Sequence, residues 1–281
     1  MKKSILLLCA AFLVSPFVFS QNSNPIKIEK DRLILATAVS TSDMDMGMGM
    51  QMKTSNVASN KLLILGEDPE GYKISNTLTK LKSDMDFMGQ QTNYDSEKPA
   101  DNESETGKAV AAQLNKPDTF LLDKLTGKVT RNKKSEGNMP DVNQGNPLAG
   151  LMSSMNSSAD VQVVENAFFI IPTGKKTGDS WSDSTSDKSM KSKRIFTLKS
   201  IEGNTATISY SGTIDVSGNQ EIQGSEVAIT MNTKLTGEII FNPTTNLVSK
   251  RTMNSDISGT IEMMGQAMPV NAKVESRFIY Q

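Results

Sequence analysis

The sequence predicts a mainly β (α+β) protein: one long, strongly curved antiparallel sheet or half-barrel, built from two related halves, with a few helices on its concave face. Three observations carry this. Over the last ninety or so residues apolar and polar side chains alternate in long segments: Ala206, Ile208, Tyr210, Ile214 and Val216 share one parity, as do Val227, Ile229, Met231, Leu235, Ile239 and Phe241. Met253, Ile257, Ile261 and Met263 follow, then Met268, Val270, Ala272, Val274, Phe278 and Tyr280. Such period-two runs are antiparallel strands with one dry face. At about 3.3 Å per residue, a strand of about fifteen residues reaches roughly 50 Å, which calls for strong twist. The second observation is that a strong helical period occurs once, near the middle. The third is internal recurrence.

In chain order, residues 1–20 read as an export signal. Lys2 and Lys3 form the positive end, Ile5 to Phe19 is apolar apart from Ser15 and Pro16, and Val18-Phe19-Ser20 offers a cleavage site before Gln21. The run is short for a membrane span and broken by proline, so no transmembrane segment is expected in the mature chain. Cys9 is preceded by Leu8 and followed by more apolar sequence, which argues against a lipidated cysteine. It leaves with the signal, and the chain has no histidine. The remaining chain thus enters an oxidising space, periplasm or medium, without a disulfide, and relies on a hydrophobic core. Residues 21–281 are expected to form a single β-rich domain, with halves at about 26–135 and 190–281 joined by a partly helical segment, 136–189.

A first edge strand is expected around Ile26 to Ile28. Leu33 to Val39 then leads into Asp43 to Lys53, where Met44, Met46, Met48, Met50 and Met52 alternate strictly; as one strand they would share a face. Two looser echoes of this Met, Gly and Gln pattern lie at 84–90 and 261–268. Leu62 to Leu65 is a short apolar run closed by the turn Glu67-Asp68-Pro69-Glu70-Gly71, and Tyr72, Ile74 and Leu78 point to the core beyond it. Residues 95–105 read as a loop, and 108–115 as a short helix ended by Pro117. Asp123 to Gly127 is a turn between strands, and Asn242 to Val248 repeats its form. Asn146 and Pro147 cap and open the one clear helix, with Leu148, Leu151, Met152 and Met155 on one stripe. A further helix is expected from Ala159 to about Asn166, before Pro172.

Phe168 to Pro172, Gly178-Asp179-Ser180-Trp181 and the strand opening Leu198-x-x-Ile201-x-Gly203-x-x-Ala206 together resemble an exported Gram-negative family of unknown function. The long sheet around inserted helices is similar in architecture to the periplasmic lipoprotein carriers (LolA-like half-barrels), a resemblance that implies an apolar cargo in a concavity.

The chemistry is defined mostly by exclusion. Triads built on His or Cys and His-ligated zinc are impossible, and no nucleophile elbow or phosphate loop is present. Paired carboxylates for glycoside hydrolysis need only two acids, but the chain is poor in the aromatic residues that form sugar platforms. An enzyme is not expected, and no cofactor is implied. Removing Lys2 and Lys3 takes the 30 basic residues to 28 against 31 acidic, so nothing points to nucleic acid. The methionine run is open to two readings, a soft Cu(I) site or a plastic apolar face. Trp181 is open to two as well, a platform on a ligand rim or a core anchor after a turn. Asp179, Asp183 and Asp187 lack the spacing of a calcium loop. The expected function is non-catalytic binding or carriage of a lipid-like ligand, lined by Met44, Met46, Met48, Met50, Met52, Leu148, Leu151, Met155 and Trp181. An envelope assembly protein using a sheet edge is the alternative, followed by Cu(I) binding.

Overall fold

The computed structural model describes residues 24–47, 49–69, 71–131, 160–187, 189–222, 225–263 and 266–281. The first half supplies β1 (Leu33–Asp45), β2 (Gln51–Asp68), β3 (Gly71–Phe87), β4 (Gln90–Asp95), β5 (Pro117–Leu122) and β6 (Val129–Arg131). A 3-10 turn (Asp101–Glu103) and α1 (Glu105–Ala111) lie between β4 and β5. After a helical turn, α2 (160–165), come β7 (Ser180–Ser186), β8 (Met190–Glu202), β9 (Thr205–Ile222), β10 (Ser225–Phe241), β11 (Val248–Met263) and β12 (Gln266–Tyr280). All twelve strands join one open sheet in the order β6-β5-β3-β2-β1-β12-β11-β10-β9-β8-β7, with β4 beside β3. Antiparallel pairing of β1 with β12, from Ala36 opposite Tyr280 to Asp45 opposite Asn271, is the seam between the two runs of strands.

The long strands of the final third occupy the residues that the alternation predicts. Side-chain parity sets the inner face, and depth is set by position along the strands. Ile34, Leu62, Ile64, Ile74, Phe120, Leu122, Leu198, Ile208, Ile239 and Phe241 are all essentially inaccessible to water. The register places them at the same end of the sheet, where each full burial contributes about 1.5–3 kcal/mol. This base is covered by α2 and residues 166–171. Val163, Val164, Ala167, Phe168 and Phe169 are buried there, Tyr280 donates to the Val163 carbonyl at 2.8 Å, and Phe168 bridges Leu247.

Two turns close the base, and they share one hydrogen-bond pattern. Asp123 Oδ1 accepts from the N–H groups of Leu125 and Thr126, and its carbonyl accepts from Gly127. Asn242 Oδ1 accepts from Thr244 and Thr245, and its carbonyl accepts from Asn246. Gly127 and Asn246 both take positive φ, 71° and 61°, the conformation that Gly and Asn tolerate best. The parallel seen between these two stretches in the sequence is thus a parallel in structure.

Several expectations change. The methionine run is a hairpin and not one strand: β1 ends at Asp45, β2 starts at Gln51, and Met44 stands directly opposite Met52. The Asp45 carboxylate accepts from Gly47 N–H at 2.8 Å, Met50 N–H donates to the Gly47 carbonyl, and Gly47 and Gly49 both have positive φ. Both echoes mark hairpin connections as well, between β3 and β4 and between β11 and β12, at the end of the sheet away from the base. Residues 24–29 form no strand; Ile26 instead inserts into the base, its N–H bonded to the Lys124 carbonyl. The segment 136–189, expected to be partly helical, supplies edge strand β7 besides α2. The short helix expected at 108–115 runs from Glu105 to Ala111, started by Ser104, whose hydroxyl accepts from Gly107 N–H. The residues of the expected export signal, Met48, and those of the expected helix with Leu148, Leu151 and Met155 lie outside the described residues.

Candidate functional site

Beyond the base, the inner face carries a polar belt that includes Ser42, Thr54, Asn56, Ser83, Ser255 and Ser276, and past it turns apolar again toward the far hairpins. Met52, Val227, Val270 and Ala272 are buried but stand apart from the contiguous core cluster. Around them Met44, Val216, Ile229, Met231, Ile257, Ile261 and Met268 are half-buried, and Ile214 packs at the border with the core cluster. Of the predicted lining residues, Met44 and Met52 thus share this distal floor as cross-strand neighbours, whereas Met46 and Met50, both half-buried, lie in the hairpin at its rim. Trp181 is elsewhere, at the base on edge strand β7. It stacks on Phe196 at 5.8 Å, contacts Phe169 at 6.5 Å and carries Lys175 Nζ over its ring. The preceding turn is held by the Asp179 carboxylate, which accepts from Lys176 N–H, and by Gly178 N–H donating to Leu198. This is the anchoring geometry.

The three spaced aspartates do separate work. Asp179 holds that turn, Asp183 pairs with Arg194 at 2.9 Å, and Asp187 accepts from the N–H groups of Ser189 and Met190, which hold its carboxyl below the usual range. Among the described residues no three His, Cys, Asp or Glu side chains gather as a metal cluster.

Where base meets distal floor, the inner face turns polar. Arg251 projects inward from β11, opposite Ile239 and Phe278. Its Nη1 donates to Asn166 Oδ1 at 2.5 Å, its guanidinium lies 5.7 Å from the Tyr210 ring centre, and no carboxylate among the described residues comes within ion-pairing distance. Desolvation lowers its pKa, which the neighbouring Tyr210, Tyr280 and Glu165 partly offset and Arg194 reinforces. An arginine remains charged through such a shift. Burial raises the pKa of Tyr210, against the pull of Arg251 and Arg194. Arg194 projects from β8 on the far side of Tyr210, 5.9 Å above the Phe196 ring, and its Nε is buried with no acceptor.

Glycines make room for these side chains. A Cβ on Gly237 would stand 2.5 Å from the Tyr210 ring, one on Gly212 would stand 3.1 Å from Arg194 Cγ, and one on Gly259 would stand 2.7 Å from the Met231 sulfur. Each is the direct cross-strand partner of the residue lying over it. Large side chains therefore lie flat on the sheet here instead of standing into the space above it.

The model of a family of unknown function, DUF6263, matches residues 69–248. The chain belongs to this family. The matched span includes Trp181, Arg194, Tyr210, Gly212 and Gly237, whereas the methionine hairpin and Arg251 fall outside it. No curated protein matches the chain. Among solved structures, lipovitellin is similar in fold, with a TM-score of 0.51 at 8% identity over 91% of this chain. The chain spans 25% of the lipovitellin chain. An outer membrane channel from Pseudomonas putida F1 aligns with a TM-score of 0.27 at 7% identity, over 92% of this chain and 98% of that one. Among the described residues no helix is long and apolar enough to cross a membrane.

Sequence reasoning passed over Arg251, Tyr210 and Gly237 as site residues. Parity held the signal for the first: Arg251 has the parity of Met253, Ile257 and Ile261, which places a charge on the dry face of a long strand.

Proposed function

We propose that this protein is an exported, non-catalytic binder or carrier of an apolar, lipid-like ligand, which lies along the distal inner face. The observation that carries the reading is that past the polar belt the floor is apolar again and apart from the core cluster, with half-buried Met, Ile and Val side chains continuing as far as the hairpins. Apolar surface in contact with water is unfavourable, and flexible thioethers adapt to ligands of varied shape. The lipovitellin structure, described as showing lipid-protein interactions, supports the same reading through its fold. The assembly alternative has less to draw on. Among the described residues the edge strands β6, β4 and β7 have three, six and seven residues, and β7 is Ser-rich and mostly exposed, an edge blunted against pairing.

The test is lipid extraction from protein purified out of its native envelope, followed by mass spectrometry. Reproducible co-purifying lipid in stoichiometric amount, reduced in a Met44→Ser, Met231→Ser variant, is the expected result. An empty protein that retains a protein partner in pull-down would overturn the reading in favour of assembly.

A further inference from the structure

We propose that Arg251, with Arg194 beside it, holds the anionic head of an amphiphile whose apolar chain runs along the distal floor. This deepens the binding function proposed above and rests on it. The argument is one of charge and place. Arg251 is an inward-facing cation with five N–H donors, and among the described residues it has a neutral amide, a phenol ring and no paired carboxylate. Leaving a partly buried charge without a counterion is costly unless an anion completes it. Arg194 brings a second guanidinium nearby, over the Phe196 ring; its Nη2 pairs with Asp183 at 2.9 Å, while its buried Nε lacks an acceptor. Guanidinium suits carboxylate and phosphate heads alike through two parallel hydrogen bonds.

The position fits an amphiphile better than a free anion. On one side of the arginine pair lies the aromatic base, with Phe169, Phe196 and Trp181 in contact. On the other side β9, β10 and β11 run on through Ile214, Met231, Ile257 and Ile261 toward the hairpins. From Arg251 to Ile261 is ten residues of extended chain, roughly 33 Å, ample for an extended acyl chain. The closed base blocks the opposite direction, so head and tail have one orientation.

Calorimetric titration of the full-length mature protein with decanoate, monodecyl phosphate, decan-1-ol and inorganic phosphate, all below micellar concentrations, tests this. Wild-type protein is expected to bind decanoate or decyl phosphate at least about tenfold more tightly than decan-1-ol, and inorganic phosphate weakly. Arg251→Gln should abolish the preference while decan-1-ol binding persists. Arg194→Gln, at a more exposed position, should reduce it, and Arg277→Gln on the outer face should leave it intact. Equal binding of the acid and the alcohol overturns the anionic head and leaves the apolar site standing. Tight binding of inorganic phosphate alone makes this a free-anion site and overturns the amphiphile. Failure of every decyl compound to bind overturns the apolar site itself.

Discussion

Tyr280 shows how one side chain ties the final strand to the covering segment. It is 4% exposed, and its hydroxyl donates to the Val163 carbonyl across 117 residues of sequence. Burial raises its pKa, with Arg251 pulling the other way. The native state therefore keeps this proton where the unfolded chain, with a tyrosine pKa near 10, releases it. The stabilisation is complete below about pH 10 and is lost as pH rises above it, by about 1.4 kcal/mol at pH 11. Urea unfolding of wild type and Tyr280→Phe at pH 8 and pH 11 checks this. The variant should start about 1 kcal/mol less stable, because the Val163 carbonyl loses its donor. It should also fall less steeply, with Tyr210 and Tyr94, both raised as well, contributing to the residual slope. An identical alkaline decline in both proteins would show that Tyr280 ionises as freely in the fold as outside it.

Among the elements, the two base turns and the methionine hairpin differ in how openly the sequence announces them. In the base turns an Asp or Asn is followed four residues later by Gly or Asn, and that spacing is the hydrogen-bond pattern itself: side chain to the next N–H groups, carbonyl to the left-handed residue. Asp123→Ala and Asn242→Ala should each cost about 1 kcal/mol in chemical unfolding, since each strands two turn N–H groups. The Asp123 loss should shrink in acid. Desolvation pushes that carboxyl up, but the N–H groups of Leu125 and Thr126 and the Thr126 hydroxyl hold it below its usual value, so its contribution fades as pH falls through that range. An Asn242→Ala variant as stable as wild type would mean the second turn is set by its neighbours alone. The hairpin was harder to read. Its alternation runs unbroken from Met44 to Met52, and period two normally signals a strand; the competing signal was Asp45 two residues before Gly47, with Gly49 beyond. Glycine at alternate positions preserves the period while it supplies the positive φ that ends the strand.

On the scale of the whole molecule, parity in the sequence located the inner face and not its depth. Ile208 and Ile214 have the same parity on the same strand, yet the first is fully buried and the second half-buried. What separates them is where α2 and residues 166–171 cross, a contact made by side chains far apart in the chain, which no local pattern encodes. The molecule should accordingly be graded in stability. Amides at Ile34, Ile64, Ile208 and Ile239 sit in the closed base and should exchange with solvent only through global unfolding. Those of the distal inner face, at Met44, Thr54, Met231 and Ile261, rest on fewer buried neighbours and should exchange at least about tenfold faster, through openings at least about 1.4 kcal/mol cheaper. Hydrogen exchange read by mass spectrometry resolves the two groups. Equal protection at both ends would mean that the distal floor is packed as firmly as the base, leaving no part of the sheet free to yield to a ligand. A bound amphiphile should slow exchange in the distal group, because an opening there must first release it, and should slow the base as well, because global unfolding releases it too; exchange in the distal group that is unchanged by ligand would place the ligand elsewhere.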